Sequence, residues 1–154
     1  MMPKTVYIVR GPSGAGKSTY IRERLLGQGQ GAVCSADDFF SREGEYDFDV
    51  GKLPEAHAWC MGQFLMAIMN ECEVIVLDNT STRKWEYVNY EIAANISGYK
   101  VEIVEIVPTT VEQMQMCARR NTHGVPASVI ASHCMRFQHD TRAVRMPVND
   151  NNWK

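Results

Sequence analysis

Hydrophobic residues along this chain follow two alternating patterns. Short apolar runs rich in β-branched residues predict buried strands at residues 5–9, 31–35, 73–78 and 99–107. Apolar positions three or four apart predict helices at 18–26, 53–70 and 85–96, from a capping box at 109–113 to about 120, and from 126 to 137. The alternation contains no repeat or internal linker. It therefore predicts an α/β fold whose central sheet is mainly parallel, with helices on both faces in a three-layer sandwich.

Three segments depart from these patterns. Residues 36–51 are acidic, aromatic and punctuated by glycine, which predicts a loop with a single helical turn. Glu102 and Glu105 interrupt the last predicted strand, which indicates that it lies near the sheet edge. We expect one domain over residues 1–140, followed by a polar tail over 141–154 in which Asn149–Asn152 are poorly ordered.

Composition narrows the protein class. The 154 residues suffice for one domain, and 45% hydrophobic with 22% charged residues is typical of a soluble globular protein. The apolar runs are too short to span a membrane, and Met1–Lys4 leads directly into a strand, so neither a membrane partner nor a signal peptide is expected. The cysteines are odd in number and lack a C-x-x-C pair, which predicts reduced core thiols in a cytoplasmic protein and no zinc ligands. The cysteines are Cys34, Cys60, Cys72, Cys117 and Cys134.

The segment after the first predicted strand carries the most specific motif. Residues 11–19 match G-x-x-x-x-G-K-[S/T], with a strand before and a helix after, as a phosphate-binding loop requires. Backbone N–H groups of such a turn and of the following helix N-terminus bind anions. Lys17 is expected to reach the β- and γ-phosphates, and Ser18 to bind Mg²⁺. The predicted ligands of ATP in this turn are Gly11, Pro12, Ser13, Gly14, Ala15, Gly16, Lys17, Ser18 and Thr19.

Carboxylates follow the second and third predicted strands, at the sheet edge where α/β proteins bind ligands. Either Asp37 or Asp38 can accept a hydroxyl proton during phosphoryl transfer, whereas the alternative role for one of them is a helix N-cap. Asp78 has the form of a Walker B aspartate that holds Mg²⁺, with a strand-end turn as the alternative. The carboxylates, with Thr80, would lie beside the nucleotide.

Two pairs of adjacent basic residues each have two possible roles. Arg119 and Arg120 end a helix, where they either stabilise its dipole or form a lid over ATP; the short, basic, glycine-containing loop that follows favours the lid. Arg83 and its neighbour Lys84 either contact an acceptor phosphate or face solvent. The residues expected to contact the acceptor substrate are Asp38, Asp78, Thr80 and Arg83.

Charge is distributed unevenly. Net charge is −2, yet residues 117–154 carry six Lys or Arg against two acidic residues. This basic third either faces a polyanion or combines arginines for ATP with a solvated tail.

Four segments in this order resemble a known family: residues 11–19, 35–40, 78–82 and 119–126. They are similar to the P-loop polynucleotide 5′-hydroxyl kinases, which include the phage end-healing enzyme and the kinase-like domain of NEDD4-binding proteins, over residues 5–139. The resemblance implies a P-loop NTPase/kinase-type fold with a short helical lid. It also implies Asp37 as the general base for the 5′-hydroxyl of DNA or RNA, Asp78 among the active-site acids, and Arg120 in the lid.

The chain departs from that family at two points. Phe40 stands where phage-type enzymes have an arginine that engages the transferred phosphate; Arg42 and Arg83 are the candidates to replace it. The second lid arginine of the phage enzyme has no clear counterpart near His123. The acidic segment 43–49 would also repel a nucleic acid strand. A small-molecule hydroxyl acceptor, such as a nucleoside or sugar, and a nucleotide-gated binding module with weak transfer therefore stay open as alternatives. The oligomeric state is not predicted.

Overall fold

A computed structural model describes residues 3–27 and 31–148. The strands are β1 Thr5–Arg10, β2 Ala32–Cys34, β3 Val74–Asp78, β4 Lys100–Ile106 and β5 Val144–Met146. The helices are α1 Lys17–Tyr20, continued by the π-helical turn Ile21–Leu26, then α2 Leu53–Met69, α3 Val88–Ile96, α4 Val111–Arg120 and α5 Ala127–Arg136. Short 3₁₀ helices occupy Ala36–Ser41, Val50–Lys52 and Lys84–Glu86.

The sheet has the strand order β2-β3-β1-β4-β5, and every neighbouring pair is parallel. One apolar face, with Ile8 and Leu77, packs under α2, α3 and the 3₁₀ helix at 36–41. The other, with Val9 and Ile106, packs under α1, α4 and α5. Because successive strand residues point to opposite faces, both layers draw on the same strands. The predicted three-layer parallel fold is confirmed.

One half of the capping box predicted before α4 is present. The hydroxyl of the N-cap Thr110 accepts a hydrogen bond from the Gln113 backbone N–H, which satisfies a donor that the first helical turn leaves unpaired. The Gln113 side chain accepts a hydrogen bond from the N–H of Thr109, the residue before the N-cap. None of the helices in the described part of the chain is both long and apolar enough to cross a membrane.

The folded part extends beyond the expected boundary at residue 140. The strand β5 lies inside the segment predicted to be a polar tail, and Val148 beyond it is buried. Three residues are too few to show a strand pattern in the sequence; they are held by pairing with the carboxyl half of β4. Asn149–Asn152, predicted to be poorly ordered, lie outside the described residues.

A buried ion pair joins the carboxyl ends of β1 and β4. Arg10 Nη1 lies 2.6 Å from Glu105 Oε2, and both side chains are almost fully buried. The same guanidinium donates to the carbonyls of Ser81 (2.8 Å) and Gln138 (2.7 Å). β4 lies next to the edge strand β5, so the expectation that this strand lies near the sheet edge is met. Glu105 itself is not on the surface, because β5 covers this end of β4 and the carboxylate faces inward. Glu102 pairs with Lys100 on the surface.

We expect Glu105→Ala to lower the free energy of unfolding by about 3–5 kcal/mol, since it leaves the Arg10 guanidinium buried without its counter-charge. The matched control is Glu102→Ala on the same strand. It removes an exposed pair and should cost no more than about 1 kcal/mol. Urea unfolding of both variants checks this; equal losses would show that the buried pair carries no special weight.

Candidate active site

The turn between β1 and α1 packs closely against the backbone of β4 and of α4 at two glycines. Gly11 has φ +154°, and a Cβ there would lie 2.1 Å from the Ile106 carbonyl oxygen. Gly14 has φ +78°, and a Cβ there would lie 2.1 Å from the Cys117 carbonyl oxygen. Only glycine fits both positions. The turn is therefore held by the end of β4 on one side and by α4 on the other.

Lys17 folds back over this turn. Its ammonium donates to the carbonyls of Gly11 (2.8 Å) and Pro12 (3.1 Å). An ammonium has three donors, so the group can still bind an anion seated in the turn. Burial lowers the pKa of Lys17, and the nearby carboxylates of Asp78 and Asp37 oppose that shift. A phosphate would act in the same direction as these carboxylates and favour the charged amine.

Ser18 and Asp78 face each other across the start of α1. The hydroxyl of Ser18 donates to Asp78 Oδ2 at 3.4 Å. Burial raises the pKa of the Asp78 carboxyl, against the opposing effects of Lys17 and of the Ser18 hydrogen bond. A bound cation would offset this cost of burying the carboxylate.

These two oxygens fit Mg²⁺ that arrives with a nucleotide. Among the described residues, no group of three or more His, Cys, Asp or Glu side chains could hold a metal ion. Mg²⁺ commonly takes only one or two protein ligands and completes its shell with water and phosphate oxygens. The pair of Ser18 and Asp78 matches that requirement.

A cavity of about 520 Å³ opens at the carboxyl ends of β1, β2 and β3. The structure brings most of the predicted residues to its wall: Ser13, Gly14, Gly16, Lys17, Ser18, Thr19, Asp37, Asp38, Asp78, Thr80 and Arg120. Gly11, Pro12 and Ala15 are buried in the turn beneath it. Arg120 at the end of α4 donates from Nε to the Gly14 carbonyl at 2.7 Å. The structure thus brings these residues together at this sheet edge, with Arg120 held against the turn.

Two predicted residues lie elsewhere. Arg83 is exposed at the start of the 3₁₀ helix Lys84–Glu86 and is absent from the cavity wall. Arg119 is exposed on α4, where its helical position turns it away from the phosphate turn that its neighbour Arg120 contacts. The assignments of Arg83 to the acceptor and of Arg119 to the nucleotide are corrected accordingly. Arg42 also lies off the site, with its guanidinium 3.8 Å from the Phe39 ring centroid.

Asp37 and Asp38 both lie in the first turn of the 3₁₀ helix at 36–41, whose N-cap is Ser35. Neither carboxylate is the N-cap, so the capping alternative is wrong for both. The Asn79 side chain accepts from the Ala36 backbone N–H at 2.9 Å and ties this turn to the end of β3. Burial and the neighbouring carboxylates raise the pKa of Asp38.

A second cavity of about 460 Å³ adjoins the first, and Asp37, Asn79 and Thr80 line both. Its wall is largely apolar and aromatic, with Tyr46 and Phe48 prominent. The Tyr46 hydroxyl donates to Asp37 Oδ1 at 3.4 Å. Sequence reasoning missed this cavity. The available signal was the set of aromatic residues at 39, 40, 46 and 48 inside an otherwise acidic segment.

The basic C-terminal third is largely engaged in internal contacts. Arg142 pairs with Glu91 and Asp140, and Arg145 lies 3.8 Å from Glu105. Arg136 donates to the Thr82 hydroxyl. These three arginines therefore contribute to the fold around β5.

The sequence matches one family model and a long relative. A family model described as "AAA domain" matches residues 6–143. NEDD4-binding protein 2 of Homo sapiens is 33% identical over 141 residues. That match covers 92% of this chain but 8% of the relative, so the chain spans only a small part of that protein's length.

Solved structures share the fold at lower identity. A gluconokinase from Sinorhizobium meliloti 1021 superposes with a TM-score of 0.65 at 14% identity, covering 97% of this chain and 85% of that one. The APS kinase CysC of Mycobacterium tuberculosis, in complex with AMPPNP and APS, gives 0.60 at 19% identity, covering 96% and 90%. Together with the phosphate-binding turn and the parallel sheet, these matches show that the chain belongs to the AAA domain family and has the P-loop kinase fold.

Proposed function

We propose that this protein transfers the γ-phosphoryl group of ATP to the 5′-hydroxyl of a DNA or RNA end, with Asp37 as the general base. The position of Asp37 is the observation that carries this proposal. Its carboxylate lines both the cavity at the phosphate turn and the adjoining apolar cavity. A base shared by a donor site and an acceptor site is what an in-line transfer requires.

The step itself is a displacement at phosphorus. The acceptor oxygen forms a bond to the γ-phosphorus, the bond from that phosphorus to the bridging oxygen of ADP breaks, and the hydroxyl proton passes to Asp37. Lys17 and Arg120 would offset the negative charge of the phosphates from the turn side. Ser18 and Asp78 would hold Mg²⁺, whose charge stabilises the phosphate oxygens.

Asp37 suits this role better than Asp38. Both line the nucleotide cavity, but only Asp37 of the two also lines the apolar cavity. Tyr46 donates to one oxygen of Asp37, which orients the carboxylate and leaves the other oxygen to accept a proton. Burial raises the pKa of Tyr46 to about 12, so its hydroxyl stays protonated at neutral pH and keeps donating.

The choice of acceptor rests on similarity to the polynucleotide kinases over the four segments named above. A small-molecule hydroxyl is the second candidate acceptor. One observation favours it: none of the described residues lining the apolar cavity is a Lys or Arg that could pair with the phosphates of a nucleic acid strand. The gluconokinase is a structural neighbour of that kind, although at 14% identity it supports only the fold. A nucleotide-gated binding module, suggested by Phe40 in place of an arginine, is the remaining alternative.

End-labelling separates these candidates. The protein is incubated with γ-labelled ATP and a 5′-hydroxyl oligonucleotide of DNA or RNA, and label at the 5′ end is measured. Label on the strand supports the proposal. ATP consumption with nucleosides or sugars but no strand labelling would assign a small acceptor. If no acceptor is phosphorylated and no ATP is consumed, the nucleotide-gated binding module is the remaining function.

We expect Asp37→Asn to lower the transfer rate by about 10²–10⁴-fold while ATP affinity stays nearly unchanged, because the change removes only the proton acceptor. The matched control is Asp47→Asn in the exposed loop nearby, which should transfer at the normal rate. Single-turnover labelling and equilibrium ATP binding give the two readouts. A normal rate in Asp37→Asn would show that another group is the base.

Lys17→Ala should weaken ATP binding by about ten-fold or more and also slow transfer, since it deletes a charged donor to the phosphates. Lys100→Ala, at the opposite end of the sheet, serves as the control. Binding is followed by calorimetry. An unchanged affinity in Lys17→Ala would contradict the assignment of the turn as the phosphate site.

A further inference from the structure

We propose that the apolar cavity binds the base of the acceptor nucleoside, packed against a stack of three rings, Phe48, Tyr46 and His123, here called the ring wall. This inference rests on the proposed function and deepens it by naming what the acceptor site recognises. The shared chemistry is a nucleoside with a free hydroxyl, whether free or at the end of a strand. The ring wall gives the site its preference for a base over a bare sugar.

The ring wall is continuous across two loops. Tyr46 and His123 stack at 4.1 Å between ring centroids with an interplanar angle of 27°. Tyr46 and Phe48 are nearly parallel, at 12° and 6.4 Å. Tyr46 and Phe48 belong to the acidic segment after β2, whereas His123 belongs to the loop between α4 and α5. All three residues line the cavity.

The ring wall also packs against a buried aromatic residue. Phe40 is buried and meets Phe48 edge-on at 5.0 Å and Tyr46 at 6.2 Å. Tyr46 is half-buried, whereas its neighbours from 41 to 49 are exposed. A loop that turns one aromatic residue inward and supports it with a buried ring presents a preformed surface. Such a surface binds with little ordering cost.

The chemistry of the cavity favours an uncharged ring. Leu53, Val125, Pro126 and Val129 add apolar surface to the lining, and no Lys or Arg is found among its described residues. Burial lowers the pKa of His133, which also lines the cavity, so this side chain adds no positive charge at neutral pH. A phosphate would find no Lys or Arg among the described lining residues, and a bare sugar would leave the ring wall uncovered. A nucleobase offers a flat face to it, and about 460 Å³ is in the usual range for a small-ligand site.

The position of the cavity joins base recognition to the reaction. Tyr46 contributes its ring to the wall and its hydroxyl to the bond with Asp37 Oδ1. A base stacked on the wall would therefore hold its attached sugar close to the carboxylate that accepts the proton. Tyr46 is accordingly a positioning residue for Asp37 as well as part of the acceptor site.

The test measures binding separately from transfer. A fluorescent DNA oligonucleotide with a 5′-hydroxyl deoxyadenosine end is titrated with the protein and a non-hydrolysable ATP analogue, followed by anisotropy. A second oligonucleotide is identical except that its terminal residue lacks the base. We expect the end with the base to bind about ten-fold more tightly. Displacement of the strand by free adenosine would identify a free nucleoside as a sufficient ligand, and its failure would identify the strand end.

Variants of Tyr46 separate its two roles. Tyr46→Leu should abolish the preference for the base. Tyr46→Phe should keep that preference and lower kcat, because the ring remains while the bond to Asp37 is lost. Trp85→Leu, an exposed aromatic residue outside the cavity, is the matched control and should behave as the unaltered protein.

Equal affinity for the two oligonucleotides, no binding of either, or an unchanged preference in Tyr46→Leu would overturn the inference. Failure of the proposed function has a different signature. Base-dependent binding without 5′ labelling would refute transfer to strand ends and leave the ring wall as a nucleoside site. Labelling with base-independent binding would refute the ring wall alone.

Discussion

The buried pair of Arg10 and Glu105 is the interaction on which the active edge of this sheet depends. Arg10 is the last residue of β1, so Gly11 and the phosphate turn begin directly from it. Its guanidinium lies between the rings of Tyr87 and Phe137, at 4.5 and 4.4 Å from their centroids. A charge in this low-dielectric setting is tolerated only with its partners in place. The pair therefore fixes β1, β4 and the chain around residues 81 and 138 relative to one another.

The two halves of the site have different origins. The nucleotide half is built from backbone and small residues, since the glycines of the turn lie where no side chain fits. The proposed acceptor half is the apolar cavity, which is lined largely by side chains from loops, and Phe40 packs beneath its aromatic residues. This residue stands where the resembling phage enzymes have an arginine, and here it supports the aromatic residues around Asp37. Under the proposed function, this difference would leave acceptor binding to apolar contact more than to charge.

Much of the fold and of the nucleotide half could be predicted, because both are encoded locally. Periodicity located β1, β3, β4 and α2 closely, and the phosphate motif is contiguous. The missed features are long-range. Pairing with β4 creates β5, and the buried ion pair of Glu105 with Arg10 forms only when distant segments meet in the fold. The apolar cavity is lined by both Tyr46 and His123. These residues are far apart in sequence, and only the tertiary fold brings them into contact. Arg119 and Arg120 are adjacent in sequence but point to different sides of α4. The sequence of the pair alone does not tell which of the two faces the turn.

The two edges of the sheet are both short. β2 and β5 have three residues each, and β5 covers only the carboxyl half of β4. The uncovered half of β4 carries the charged pair of Lys100 and Glu102. Short edge strands and charged edge side chains oppose the addition of a foreign strand, which is the first step of sheet-to-sheet aggregation. The architecture that leaves one end of the sheet open to ligands thus closes its sides to self-association by strand pairing.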